Sequence, residues 1–446
     1  MIRPTGPFPS RCLALALLLV SVSVAEPTRA DAIDDIPPGS WYEVPGSEMQ
    51  AVIPMPPLPN QGGVGSIMSA WSGGAYDEAG ERLLVWGGGH ADYSGNEVYA
   101  FDLNTLSWSI IWGPTAESDI PSGMEFETYL DGNPSSRHTY SGLAHVPPPI
   151  DALYALGGSR WQNGYGTAAV WRLDLAAGTW SRMTDYPGGV NFGDATAYDP
   201  ITGHLFHRGL TVFGEYDPTS DTWQNRYEDG AGWYQANITG ALDPVRRLMV
   251  IAGNGDLSAF HLDDHTYQSP ASTGGQAVID SAAPGFAYDA KQGLFVAWAG
   301  GSDVYTLDPD TWEWLVHTGA GSPPGAAQPN GTFGRFRYAP SRNVFVLANA
   351  VDQNVFIYRL SEGGGVPPPE GTGGGGAGGA GGDAGTGGAS GVGGSATGAG
   401  GSGATPSDDG GCGCRLTAPS DRHAPFALGL LLLGALWRRR RSSAST

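Results

Sequence analysis

Between residues 75 and 360 the chain is written in short apolar runs broken by turn residues, and the pattern repeats. An apolar strand, a turn and a second apolar strand recur six times. The copies are AYDEAGERLLVWGGG from Ala75, AHVPPPIDALYALGG from Ala144, AYDPITGHLFHRG from Ala197, ALDPVRRLMVIAG from Ala241, AYDAKQGLFVAWAGG from Ala287 and RYAPSRNVFVLAN from Arg337. Asp-Pro and Asp-x-x-x-Gly supply the turns, because Asp bonds its own backbone and Gly accepts a left-handed φ. A second element follows most copies: an alternating strand, an Asp turn, then an aromatic residue. It reads VYAFDLNTLSW to Trp108, VWRLDLAAGTW to Trp180, FGEYDPTSDTW to Trp223, AFHLDDHTY to Tyr267 and VYTLDPDTW to Trp312.

The aromatic closers at 108, 180, 223, 267 and 312 leave gaps of 72, 43, 44 and 45 residues. The first gap carries about 28 extra residues, which Thr115 to Ser135 accommodates. Four strands in about 45 residues is the size of one propeller blade, so the repeats predict an all-β, six-bladed β-propeller over residues 40–360. The sixth copy stops at VFIYRL, Val355 to Leu360, without an Asp turn and closing aromatic. GSWYEVPGS, Gly39 to Ser47, has both the Trp and the length to serve as the missing outer strand. An N-terminal strand placed there closes the ring without a free pairing edge.

Paired glycines after the second strand, followed by the strand, Asp turn and Trp, resemble kelch repeats. The resemblance covers roughly Ser40 to Leu360; Tyr267 replaces Trp in the fourth copy, and the third and sixth lack the glycine pair. It implies a ring whose b–c loops and d–a loops emerge on one face, strands a to d running outward. Galactose oxidase shares kelch-like repeats but needs a cysteine–tyrosine crosslink beside copper, and this stretch has no cysteine. The S-x-D-x-G-x-x-W turns of six-bladed sialidases are absent as well; DPTSDTW is only a partial echo.

The two ends differ in kind from the repeats. Residues 1–32 read as a secretory signal, with Arg3 and Arg11 ahead of the apolar Leu13 to Ala25 and small-residue cleavage sites at Ala25 and Ala32. Residues 361–411 are mostly glycine with alanine, serine and threonine, a composition that cannot bury enough apolar surface to fold and predicts a flexible linker. Residues 412–446 place Cys-Gly-Cys before a short apolar run, predicting a short hydrophobic helix, and then Arg438 to Arg441. This tail resembles the MYXO-CTERM sorting tails of deltaproteobacterial surface proteins. That resemblance implies a sorting protease acting near Cys412 or Cys414 and retention at the outer membrane surface of a Gram-negative cell, with membrane contact through the tail alone. Cys12, Cys412 and Cys414 are the only cysteines, so thiol catalysis and thiolate metal sites are excluded from the repeats. The net charge of -21, with Lys291 the single lysine, excludes the phosphate-neutralising surface that nucleic acid needs.

The candidate chemistry collects on the b–c and d–a loops of blades 1 to 3. HADYSGN supplies His90, Asp92, Tyr93 and Asn96; the end of the insertion supplies Arg137, His138 and Tyr140. SRWQNGYG supplies Arg160, Trp161 and Tyr165, HRG supplies Arg208, and RYEDGAGWYQAN supplies Trp233 and Tyr234. Blades 4 and 5 offer far less at equivalent places, and a purely structural ring would spread such residues evenly. His204 and His207 stand three apart on a strand and face opposite sides, which argues against a metal pair. His145, His261, His265 and His317 are expected to be structural, as is the Asp308–Asp310 turn, so no metal or cofactor is expected.

Three functions fit these residues. The first is a monomeric surface module binding a polysaccharide or surface glycan, an acidic one suiting Arg137, Arg160 and Arg208, with Asp92, Asn96, Trp161, Tyr165, Trp233 and Tyr234 as further ligand contacts. The second is a polysaccharide lyase: His90, His138 and Arg137 would quiet a uronate carboxylate while Tyr140 and Tyr93 act as base and acid. Several propeller-fold lyases use His and Tyr in this way. The third is a protein-interaction scaffold, the commonest use of kelch rings.

Overall fold

The structure, a computed structural model, describes residues 31–365 except 56–57, 59–62, 91, 122–125, 163, 191 and 229–235. The expected signal up to residue 30, the linker from 366 and the whole tail lie outside the described residues, as do Trp233 and Tyr234. The repeats form six sheets in which strands a, b, c and d run antiparallel from the axis outward. Blade 1 is Gly73–Asp77, Arg82–Trp86, Val98–Asp102 and Ser107–Trp112. Blade 2 is Leu143–Val146, Ala152–Leu156, Val170–Asp174 and Thr179–Met183, and blade 3 is Ala195–Asp199, His204–Arg208, Val212–Asp217 and Thr222–Glu228. Blade 4 is Thr239–Asp243, Leu248–Gly253, Asp256–His261 and Thr266–Gln268, and blade 5 is Gly285–Asp289, Leu294–Trp298, Asp303–Asp308 and Glu313–Thr318. Blade 6 has Phe336–Ala339, Val344–Leu347 and Phe356–Arg359 and takes its outer strand from Ser40–Glu43, as the sequence predicts. Ser40 faces Arg359 and Glu43 faces Phe356 in that antiparallel pair. Ala320–Gly321 adds a short parallel strand outside it.

The core is not one mass. Six apolar clusters sit at the six seams between neighbouring blades. Trp86, Val98, Leu153 and Trp171 join blades 1 and 2, while Phe213 stacks on Phe260 between blades 3 and 4. Trp41 packs on Trp298 and Tyr358 to lock the closing seam between blades 5 and 6. In blades 1 and 5 the inner strand begins with glycine, Gly73 and Gly285. A Cβ on Gly73 would stand 2.1 Å from the Tyr140 carbonyl oxygen, so blade 1 meets the loop before blade 2 only with glycine there.

Two backbone devices repeat around the ring. The residue before strand b has positive φ in every blade: Glu81, Asp151, Gly203, Arg247, Gly293 and Asn343. The residue leading into strand a does the same at Trp71, Tyr140, Gly193, Asn237, Ala283 and Phe333. Trp71, Tyr140, Ala283 and Phe333 converge at the mouth of the ring on the b–c face. Tyr140 N–H donates to the Trp71 carbonyl at 2.8 Å and Ala283 N–H to the Asn237 carbonyl at 2.6 Å, linking successive blade starts.

One expectation is corrected in blade 5. The closing aromatic is Trp314, not Trp312. In blades 1, 2 and 3 the closer stands six residues after the turn Asp, at 102 and 108, 174 and 180, 217 and 223. In blade 5 that count from Asp308 reaches Trp314, which is buried, while Trp312 takes the left-handed turn position and is half-buried.

Candidate functional site

The insertion before blade 2 is anchored first, and the anchoring consumes several expected ligands. Glu127 accepts hydrogen bonds from Arg137 at 2.9 Å, Trp171 Nε1 at 2.7 Å and Thr167 Oγ1 at 2.7 Å. These donors, the Arg137 charge foremost, hold its carboxyl below the usual range despite burial. Asn96 donates to Thr115 Oγ1 and the Pro134 carbonyl and accepts from Thr115 N–H, pinning both ends of the insertion. Tyr129 O–H donates to the Ser94 carbonyl at 2.6 Å.

The anchored insertion then presents His138. A two-residue ribbon pairs Arg137 with Arg160 and His138 with Ser159. Gln162 N–H donates to the His90 carbonyl at 2.8 Å, tying the b–c loops of blades 1 and 2 together. The outcome is a pocket of about 200 Å³ walled by Trp71, His90, His138, Tyr140, Ser159 and Phe192, with Gly164 in its wall.

Within it the two imidazoles lie with ring centroids 4.6 Å apart, and Trp71 lies against His138 at 4.7 Å. Asp92 Oδ2 sits 3.1 Å from His138 Nε2. A carboxylate only accepts, so Nε2 carries the proton and Nδ1 keeps its lone pair. Burial lowers the His138 pKa; the hydrogen bond to Asp92 opposes that and the neighbouring His90 adds to it. His138 is therefore neutral at pH 7. His90 Nδ1 is buried and meets no hydrogen-bond partner among the described residues. Tyr140 O–H lies 3.0 Å from Ser159 Oγ, and burial pushes the phenol up to about 12. The backbone has little room to vary here: a Cβ on Gly89, at φ +95, would come within 2.6 Å of both Asp92 Oδ2 and His138 Nε2.

Behind Tyr140 lies a second buried pair. His207 Nε2 is 3.4 Å from Asp194 Oδ2, and His207 Nδ1 is 2.8 Å from Thr196 Oγ1. Burial pushes the Asp194 carboxyl up and the His207 imidazole down, each toward its uncharged form.

The candidates chosen from sequence thus separate. His90, Asp92, His138 and Tyr140 come together. Tyr165 stands exposed beside Gly164 at the pocket's edge. Arg160 is half-buried, 3.9 Å from Glu127. Tyr93 does not reach the pocket: it is fully buried in the seam with blade 6, its hydroxyl donating to Glu97 at 2.6 Å. Asn96 and Trp161 are buried as well. Arg137 is buried against Glu127 and over the Trp86 ring, and Arg208 is buried 3.6 Å from Asp256. His204 and His207 have separate partners, Glu215 and Asp194, as their opposite facing predicts. Sequence reading passed over Trp71, Ser159, Phe192, Glu127 and Asp194. The only signal for Trp71 was its place in the segment leading into strand a of blade 1, as His138 and Tyr140 lead into strand a of blade 2.

A larger and shallower hollow of about 600 Å³ lies between blades 5 and 6 on the same face. Ser281, Gly300, Gly325, Ala326, Gln328 and Pro329 line it, and among the described residues no ionisable or aromatic side chain enters its wall. No protein-family profile matches the chain, and no curated protein matches it either.

Proposed function

We propose that this propeller binds a glycan, with one sugar ring seated in the pocket between blades 1 and 2. The observation that carries the reading is the wall itself. Trp71 and Phe192 offer apolar faces, and His90, His138, Tyr140 and Ser159 offer hydrogen-bonding groups around a space the size of one sugar ring. Small binding sites combine such surfaces with a few placed polar groups. The buried pairing of Arg137 and Arg208 removes two of the cations expected to select an acidic glycan, so recognition rests on imidazole and hydroxyl groups.

The rest of the reading extends the repeat pattern and the two termini. We take the ring as kelch-type on the glycine pairs and Asp turns, and the protein as exported and held at the outer membrane by its sorting tail.

A second reading, uronate lyase chemistry, is favoured by one observation: Asp92 orients a neutral His138 beside a neutral Tyr140. His138 Nδ1 would take the proton next to the sugar carboxylate. That electron pair would form the new C=C bond as the glycosidic C–O bond breaks, and Tyr140 would protonate the leaving oxygen.

A glycan array probed with the whole protein tests the binding reading. Selective retention of a glycan class is expected, and Trp71→Ala should weaken it about tenfold, a loss of ~1.4 kcal/mol. No retained glycan, or retention unchanged by both Trp71→Ala and His138→Ala, would refute it. Ultraviolet absorbance of an unsaturated product from uronic polysaccharides decides whether turnover accompanies binding.

A further inference from the structure

The opposite face, where strands a turn into strands b, carries a latch on a buried aspartate at three seams and a different arrangement at the seam of blades 1 and 2. In blades 1, 3, 4 and 5 strand a ends in a buried Asp: Asp77, Asp199, Asp243 and Asp289. Each meets a neutral or cationic partner, and for Asp77 this is Arg82 of its own blade. Asp199 Oδ2 receives Arg247 of blade 4 at 2.6 Å, and Arg247 holds the position just before strand b. Asp243 is paired with Arg246 at 2.8 Å and bonded by Tyr288 of blade 5. Asp289 is bonded by Tyr338 of blade 6.

At the seam of blades 1 and 2 the position held by Arg247 elsewhere is Asp151, an anion. The position of Tyr288 and Tyr338, last but one in strand a for Tyr288, is occupied by His145. Two carboxylates therefore face each other across the seam, with an imidazole between them. His145 Nε2 is 3.5 Å from Asp77 Oδ1 and 3.2 Å from Asp151 Oδ1, and the three atoms lie within 4.8 Å of one another. Asp77 and His145 are buried, while the Asp151 side chain is one-third exposed and gives a path from solvent. Arg82 offsets one of these charges through the other Asp77 oxygen, and a bound cation would offset the second.

We propose that Asp77, His145 and Asp151 bind a divalent transition metal ion of the zinc class, stapling blade 1 to blade 2. Ligand atoms around a tetrahedral ion with bonds of about 2.1 Å stand about 3.4 Å apart, the spacing His145 keeps from each carboxylate. Arg82 engages the other oxygen of Asp77 at 2.7 Å and leaves Oδ1 toward His145, where it also accepts the Gly80 N–H at 2.9 Å. That support orients the ligand from behind. One imidazole with two carboxylates suits zinc better than calcium, which takes six or more oxygens.

The test is calorimetric titration of EDTA-treated protein with zinc chloride, in a Cys412→Ser, Cys414→Ser chain so that the tail thiols do not contribute. One equivalent is expected, and saturation at a hundredfold excess over Kd should raise the melting temperature by about 5 °C. Asp151→Asn should lose both effects. His145→Tyr copies the residue that blades 5 and 6 use at this position, so it should fold yet bind no zinc. Zinc that fails to bind, or binds equally well to His145→Tyr, overturns the proposal. A melting temperature indifferent to zinc but falling as pH rises through the His145 titration would identify a protonated imidazole as the bridge instead.

Discussion

At the scale of residues, the pocket depends on which loop side chains turn inward. HADYSGN delivers His90 and Asp92 to the pocket but Tyr93 and Asn96 to the protein's own scaffolding. The residue types were readable as chemistry; their directions were not, because a loop lacks the strict alternation that assigns faces along a strand. Glu127 escaped notice for a related reason. It lies in an insertion with no repeat partner, and its role appears only when Arg137, Thr167 and Trp171 converge on it. Asp92 gives a testable sign. It raises the His138 pKa, against burial, which lowers it. The folded-state pKa lies below that of a free histidine, so the neutral ring is favoured above the free value and is lost as pH falls through the folded one. Asp92→Asn removes the raising contribution. The acid limb of glycan binding should then move to lower pH, measured by titrating affinity across acidic pH; a shift to higher pH would contradict the assignment.

At the scale of elements, turns carry most of the legible information. The Asp turns predicted between strands a and b and between c and d are present. In blade 1, Asp102 accepts from Asn104 N–H at 2.6 Å; in blade 3, Asp217 accepts from Thr219 N–H at 2.8 Å. What sequence reading missed is the left-handed residue that follows, because glycine marks it in only some blades while Glu81, Arg247 and Asn343 fill it elsewhere. The same ambiguity misplaced the closer in DPDTWEW, where two tryptophans two residues apart compete for one position. Substitution separates them. Trp314→Ala removes a buried closer and should cost about 3–5 kcal/mol, whereas Trp312→Ala removes a half-buried turn residue and should cost ~1 kcal/mol. Chemical denaturation of the two variants reads the difference, and equal losses would reverse the assignment.

At the scale of the whole molecule, closure was the most secure inference from sequence. A sixth repeat without its outer strand and an unassigned Trp41 strand at the other end have one economical solution, and Ser40–Glu43 occupies it. The ring gives two faces built from the same repeats and used differently. On the a–b face the seams differ in how they satisfy a buried aspartate, and the seam of blades 1 and 2 is the exception. On the b–c face that same seam holds the imidazole pair, while the hollow between blades 5 and 6 offers greater volume without comparable chemistry. A fold repeated six times cannot by itself mark one seam; departures from the repeat do that, and here they coincide on both faces. The most direct measurement is a crystal structure with the best-retained oligosaccharide. We expect a sugar ring against Trp71, with its hydroxyls within hydrogen-bonding distance of His90, His138 or Ser159. A sugar seated in the hollow between blades 5 and 6, with the imidazole pocket vacant, would contradict the account.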